Sequence, residues 1–210
     1  ETLFETDRKT YQAMEAFIHN LNTMHSRAGA QVPFSSVNFG TDISEEGRMI
    51  SKNLMLSQEK GLGNGETPIF PILIFKVKEG INLNKEDKNY DLFRLAMRVS
   101  SKRLFPNFSF LDAPFNIKYY QPDKPETEVV YMGCRTRVMG NVCGEEQAMG
   151  RGNLSFTTLN LPRLGIKYGI KTSDRNIADL DGFFEELDEK INLIGEQLLE
   201  RFEIQASKKV

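Results

Sequence analysis

Apolar positions along this chain switch between two periods. Tyr11, Met14, Phe17, Ile18 and Leu21 recur at steps of three and four and predict a helix over 8–24. "AQVPFSSVNF" (30–39) reads as a strand. Ser44 followed by Glu45 and Glu46 is a helix start, and the helix it opens runs to a stop at Gly61. "TPIFPILIFKV" (67–77) is almost wholly apolar, as in a strand buried on both faces, with Pro71 bending it or marking a bulge. A helix over about 89–102 carries Tyr90, Phe93 and Met97 and leads to a third strand, "FPNFSFLD" (105–112). After a polar, proline-bearing connection, "VVYMGC" predicts a fourth strand ending at Cys134. "NLSFTTLNLPRL" (153–164) predicts a fifth, closed by proline. Leu180, Phe183, Leu187, Ile191, Ile194, Leu198 and Phe202 then describe an amphipathic helix, expected over 176–204.

Strand–helix–strand–helix–strand is the signature of right-handed parallel units, so the expected class is α/β with mainly parallel strands and connecting helices. The 210 residues suit one large domain or two small ones. The expected division is 1–170 as the sheet-bearing part and 171–210 as a C-terminal amphipathic helical segment of the same domain. A net charge of −2 offers no broad basic surface, which argues against nonspecific nucleic-acid binding. No stretch approaches the roughly 20 apolar residues that span a bilayer, so no membrane partner is expected. Two cysteines make no disulfide framework, and a reducing, cytoplasmic setting fits.

The candidate chemistry is sparse. His19 and His25 are six residues apart and far from Cys134 and Cys143, which excludes the usual zinc spacings; no metal site is expected in this chain. "GLGNGETP" (61–68) lacks a GK[ST] ending and follows a helix, so it reads as a helix stop rather than a phosphate loop. "SSVN" (35–38) and "SFTT" (155–158) put polar side chains in otherwise buried strands. Such groups are either hydrogen-bonded or face a wet cavity, and both readings stay open. Cys134 stands between Gly133 and Arg135, with Arg137 beyond. Flanking arginines favour a thiolate, yet no neighbouring His or Asp supplies a base.

"RAGAQVPFSSVNFGTD", "GNGETPIFPILIFKVKEG", "KRLFPNFSFLDAPFN", "YMGCRTRV" and "RGNLSFTTLNLPRLG", in that order, resemble the anaerobic (class III) ribonucleoside-triphosphate reductases. The resemblance implies part of a ten-stranded α/β barrel in which a finger loop threads the centre and bears a cysteine at its tip. Cys134 matches that cysteine, whose S–H bond is weak enough to yield a thiyl radical that abstracts the ribose 3′-hydrogen. Asn153 resembles a substrate-positioning asparagine. Met132 and Thr136, two residues to either side of Cys134, are expected near substrate or formate, although Met132 reads equally well as strand packing. Gln31 resembles a residue near an effector site at a dimer interface.

The family's implied partners are a ribonucleoside triphosphate, formate, dNTP and ATP effectors, and a second copy in a homodimer. Its implied cofactors are a glycyl radical, installed by an S-adenosylmethionine/iron–sulfur activase, and a C-terminal zinc site. None of the residues for these cofactors occurs here, nor does an ATP cone or the second active-site cysteine expected upstream of "RAGAQVPF". The chain is therefore expected to be an interior fragment of a longer, oxygen-sensitive enzyme, inactive by itself. A noncatalytic nucleotide-binding or regulatory module on the same half-barrel is the alternative. A pyruvate formate-lyase-type acyltransferase ranks last, because it is expected to carry adjacent cysteines.

Overall fold

The computed structural model describes residues 2–24, 32–133, 136–140, 144–148, 155–169 and 178–208. They fall into two compact units, residues 1–150 and 151–210.

The first unit is built on a parallel sheet in the order β1 (Ser36–Phe39), β2 (Ile72–Val77), β3 (Asn107–Phe110). Ser36 pairs with Ile72 and Phe39 with Phe75; Ile74 pairs with Asn107 and Val77 with Phe110. The crossovers are α2 (Glu45–Lys60) and α3 (Tyr90–Arg103), and α1 (Leu3–Thr23) packs on α2. The expected helix–strand alternation through residue 112 is therefore present, with every strand shorter than its apolar run. At β2 the reason is local. Thr67–Pro71 makes no ladder, and Asn22 of α1 serves its backbone instead, accepting from Ile69 and Phe70 N–H and donating to the Phe70 carbonyl.

Side chains alternate across a strand. Leu73, Phe75 and Val77 of β2 meet Leu54 and Met55 of α2, Leu92, Ala96 and Val99 of α3, and Ile18 of α1. Val37, Phe39 and Phe108 join the same layer. The helices are held in place by specific ends. Thr2 and Glu5 form a reciprocal capping box on α1, and the Ser44 hydroxyl accepts from Gly47 N–H at the start of α2. Gly61 ends α2 at φ +87°, and Arg103 donates to the carbonyls of Glu59, Lys60 and Gly65. The glycine-rich run is thus a helix stop bound by an arginine.

Two connections differ from expectation. "VVYMGC" does contain a strand, β4 (Val130–Met132), but its ladder partner is β5 (Thr136–Val138), antiparallel, and not the three-stranded sheet. Only three residues separate β4 from β5, and a connection that short permits antiparallel pairing alone. The polar connection before it contains a short helix, α4 (Pro114–Ile117), and a 3-10 turn at Pro125–Thr127.

In the second unit the predicted fifth strand is overturned. Residues 155–160 pair with no strand among the described residues, and Leu161–Tyr168 is a helix, α5. Pro162 occupies its first turn and the Asn160 side chain accepts from Arg163 N–H, so the proline opens a helix where it was expected to close a strand. The amphipathic helix is present as α6 (Leu180–Ala206), started by Asp179 accepting from Gly182 N–H. It packs on α5 through Phe183 against Tyr168 and through Glu186, which pairs with Lys167 and accepts from the Tyr168 hydroxyl at 2.6 Å. Lys167 first, then Tyr168, hold the Glu186 carboxyl down at about 2. Among the described residues no helix is long and apolar enough to cross a membrane.

Candidate active site

The face of the sheet turned away from the helices mixes polar with apolar side chains, where the helix face is apolar. By alternation it carries Ser36 and Asn38 of β1, Ile72, Ile74 and Lys76 of β2, and Asn107 and Ser109 of β3. Of these polar residues only the pair on β1 was singled out from sequence. Lys76 lies inside an apolar run, and Asn107 and Ser109 alternate with the phenylalanines of "NFSF". The signal available for both was strand parity: once Leu73, Phe75 and Phe108 face helices, residues 76, 107 and 109 face the other way.

The β4–β5 hairpin is seated on this face, and the two open readings of "SSVN" resolve in favour of hydrogen bonding for Ser36 and Asn38. The Asn38 amide donates to the Tyr131 carbonyl at 2.7 Å and accepts from Tyr131 N–H at 2.9 Å. The Ser36 hydroxyl accepts from Gly133 N–H at 3.1 Å. Upstream, Glu128 pairs with both Lys76 and Lys78, and Lys78 lies over the Tyr120 ring. Lys76 is only 8% exposed, so the carboxylate is its counter-charge within the fold.

Gly133 has φ +62°, a left-handed conformation that suits glycine. A Cβ there would lie 3.0 Å from Phe34 Cε1, so the turn residue also packs closely against the lead into β1. Met132 stands opposite Thr136 in the ladder; Met132 is half-buried and Thr136 exposed. Those two expected substrate-side residues are thus brought together as a cross-strand pair. Arg137 does not serve as a free cation beside the turn: its guanidinium lies over Phe115 and donates to Asn116 Oδ1 and the Phe115 carbonyl. Cys134, Asn153, Gln31 and Cys143 lie outside the described residues. Among the described residues no group of three His, Cys, Asp or Glu side chains is arranged to hold a metal ion.

Ser109 lies on the same face of the sheet. Its hydroxyl is buried and has no hydrogen-bond partner among the described residues. Removing an unpaired buried hydroxyl relieves a desolvation cost, so Ser109→Ala is expected to be neutral or to stabilise by up to about 1 kcal/mol. Urea unfolding checks it, and a loss above that size would show that the hydroxyl has a partner.

The described geometry is that of an α/β unit: a three-stranded parallel sheet one face of which carries an antiparallel hairpin, with Cys134 in the sequence between the hairpin's strands. Comparison with known proteins makes this particular. The family model for anaerobic ribonucleoside-triphosphate reductase matches residues 4–210, and the chain belongs to that family. It is 38% identical over 187 residues to the anaerobic ribonucleoside-triphosphate reductase of Enterobacteria phage T4, covering 88% of this chain and 30% of the phage protein. The proteins of the same name from Haemophilus influenzae and Escherichia coli are each 32% identical, over 93% of this chain and 26% of their own length. The chain thus spans between a quarter and a third of the curated relatives it matches.

Proposed function

We propose that this chain is the part of an anaerobic ribonucleoside-triphosphate reductase that presents the radical cysteine to the substrate, and that Cys134 is that cysteine. The observation that carries the reading is the hairpin: Met132 and Thr136 face each other across β4 and β5, and Gly133, Cys134 and Arg135 connect them. The sheet face beneath belongs, in this reading, to the interior of a ten-stranded barrel of which β1–β3 form a part. A thiyl radical at Cys134 takes the 3′-hydrogen of the ribose, forming S–H and leaving the radical on carbon. Formate is the reductant: one ribonucleoside triphosphate, one formate and one proton give one deoxyribonucleoside triphosphate, one carbon dioxide and one water.

Asn153 orients the substrate through its amide, Met132 and Thr136 border substrate and formate, and Gln31 lies by an effector site that reads dNTP or ATP at a homodimer interface. The glycyl radical, its S-adenosylmethionine/iron–sulfur activase and the zinc site belong, in this reading, to the parent enzyme. A cytoplasmic location goes with the same reading. Its test is anaerobic turnover by the activated parent enzyme with carbon-labelled formate. Labelled carbon dioxide is expected in equal amount to deoxynucleotide, whereas deoxynucleotide without it would remove formate, and no deoxynucleotide would remove the reading.

Cys143 is assigned no redox partnership with Cys134, because formate removes the need for a cycling disulfide. Cys143→Ala in the parent is expected to keep most of the activity, measured as deoxynucleotide formed per minute under the same conditions.

A further inference from the structure

The polar side chains of β1 have a feature that simple satisfaction of buried groups does not require. Strand β4 has β5 on one edge only. In an antiparallel ladder alternate residues turn their N–H and C=O away from the partner strand, so the second edge of β4 exposes the backbone of Tyr131 and Gly133. Among the described residues no third strand covers that edge. Side chains of β1 do so instead, in antiparallel order: Asn38 serves both groups of Tyr131, and Ser36, two residues earlier, serves Gly133, two residues later. Asparagine suits this because a primary amide offers an acceptor and a donor side by side, as a strand backbone does. The turn is closed from the same direction by Phe34, which lies against Gly133 and packs edge-on against Phe70.

We propose that Asn38, together with Ser36, is a positioning residue for Cys134: the two side chains act as a surrogate strand that fixes the register and height of β4 on the sheet. The proposal rests on the reading of Cys134 as the radical cysteine. The residue after Gly133 is covalently tied to the Ser36 contact, so a thiol that must meet one hydrogen on a sugar inherits its place from β1. Radical transfer depends on the approach of the reacting atoms, and a misplacement of about 1 Å can cost about a hundredfold in rate. Asn38→Asp keeps the acceptor but turns a carboxylate oxygen toward the Tyr131 carbonyl. Asn38→Leu keeps the volume and removes both bonds. Ser36→Ala removes one bond, and Ser36→Thr retains it.

The test has two arms. In the 210-residue chain, amide hydrogen exchange at Tyr131 and Gly133 is compared with that of α2 and α3. Asn38→Leu is expected to speed exchange at Tyr131 by about tenfold or more, with α2 and α3 unchanged, and Ser36→Ala to do so at Gly133 while Ser36→Thr does not. Protection that persists at both amides would overturn the latch. Should an Asn38 variant lose protection in α2 and α3 as well, the Ser36 pair decides alone.

In the activated parent enzyme, Asn38→Asp is expected to lower kcat at least about tenfold with the nucleotide KM little changed, the mark of an effect on reacting geometry rather than on binding. Unchanged kcat alongside faster exchange would leave the latch without a positioning role and overturn the proposal. A parent with no reductase activity at all would instead sink the assignment of Cys134, while the exchange arm would still have answered for the latch.

Discussion

Replacing Cys134 by serine in the parent enzyme is expected to abolish deoxynucleotide formation while leaving nucleotide binding intact. The change is a single atom, sulfur to oxygen. What it alters is the strength of the bond to hydrogen. A thiyl radical can be generated by a modest donor and can still abstract a sugar hydrogen, whereas an O–H bond is too strong for the radical to be passed to it. Each roughly 1.4 kcal/mol added to an activation energy costs a factor of ten, and the difference between the two bonds is many times that. Anaerobic assay of product, with nucleotide affinity measured in parallel, checks both halves of the expectation. Turnover retained by Cys134→Ser would remove Cys134 from the chemistry. Loss of binding together with turnover would place it in substrate recognition or folding.

The hairpin was only half legible beforehand. Its first strand announced itself through Val129, Val130 and Tyr131, but β5 is three residues, Thr136–Val138, with no apolar run to mark it. Antiparallel pairing followed from the shortness of the connection, a constraint that appears only once both strands are known. The α/β alternation through residue 112 was readable because its punctuation is chemical: Ser44 before Glu45 and Glu46, Gly61 after Lys60, and an apolar run long enough for a buried strand. The start of α1 lay earlier than hydrophobic period suggests, since Thr2 and Glu5 form a capping box ahead of the first core residue. The fifth strand failed for the opposite reason. Alternation in "NLSFTTLNL" looked like a pleat, but Asn160 and Pro162 are stronger local signals, and they open α5.

The geometry around the candidate site is legible in the sequence only where it is local. Met132 and Thr136 are two residues from Cys134 and meet across the ladder, as the sequence spacing allows. The contacts of Asn38 and Lys76 reach across the fold, to Tyr131 and Glu128, and no window of sequence displays them. A charged residue in an otherwise apolar strand was the readable clue at Lys76: such a residue is either misplaced or paired, and a native fold supplies the pair.

That pair carries the largest stability effect we expect. Glu128 is the counter-charge of both Lys76 and Lys78, and it sits two residues before β4, where it ties the approach of the hairpin to the sheet. Glu128→Ala leaves Lys76 buried without an anion and facing a second ammonium, and should destabilise the first unit by on the order of 3 kcal/mol. The reverse deletion is not its mirror image. In Lys76→Met the carboxylate keeps Lys78 as partner, with its side chain 17% exposed to water, and the strand gains an apolar residue among Ile72 and Ile74. That change should stay within about 1 kcal/mol of the parent chain. The double variant Lys76→Met, Glu128→Leu should recover most of what Glu128→Ala loses, because no unpaired charge is then left inside. Urea unfolding followed by fluorescence of the tyrosines, with the slope compared among the variants, measures all three. Equal losses for the two single changes would show that the bond itself, and not the stranded lysine, sets the cost.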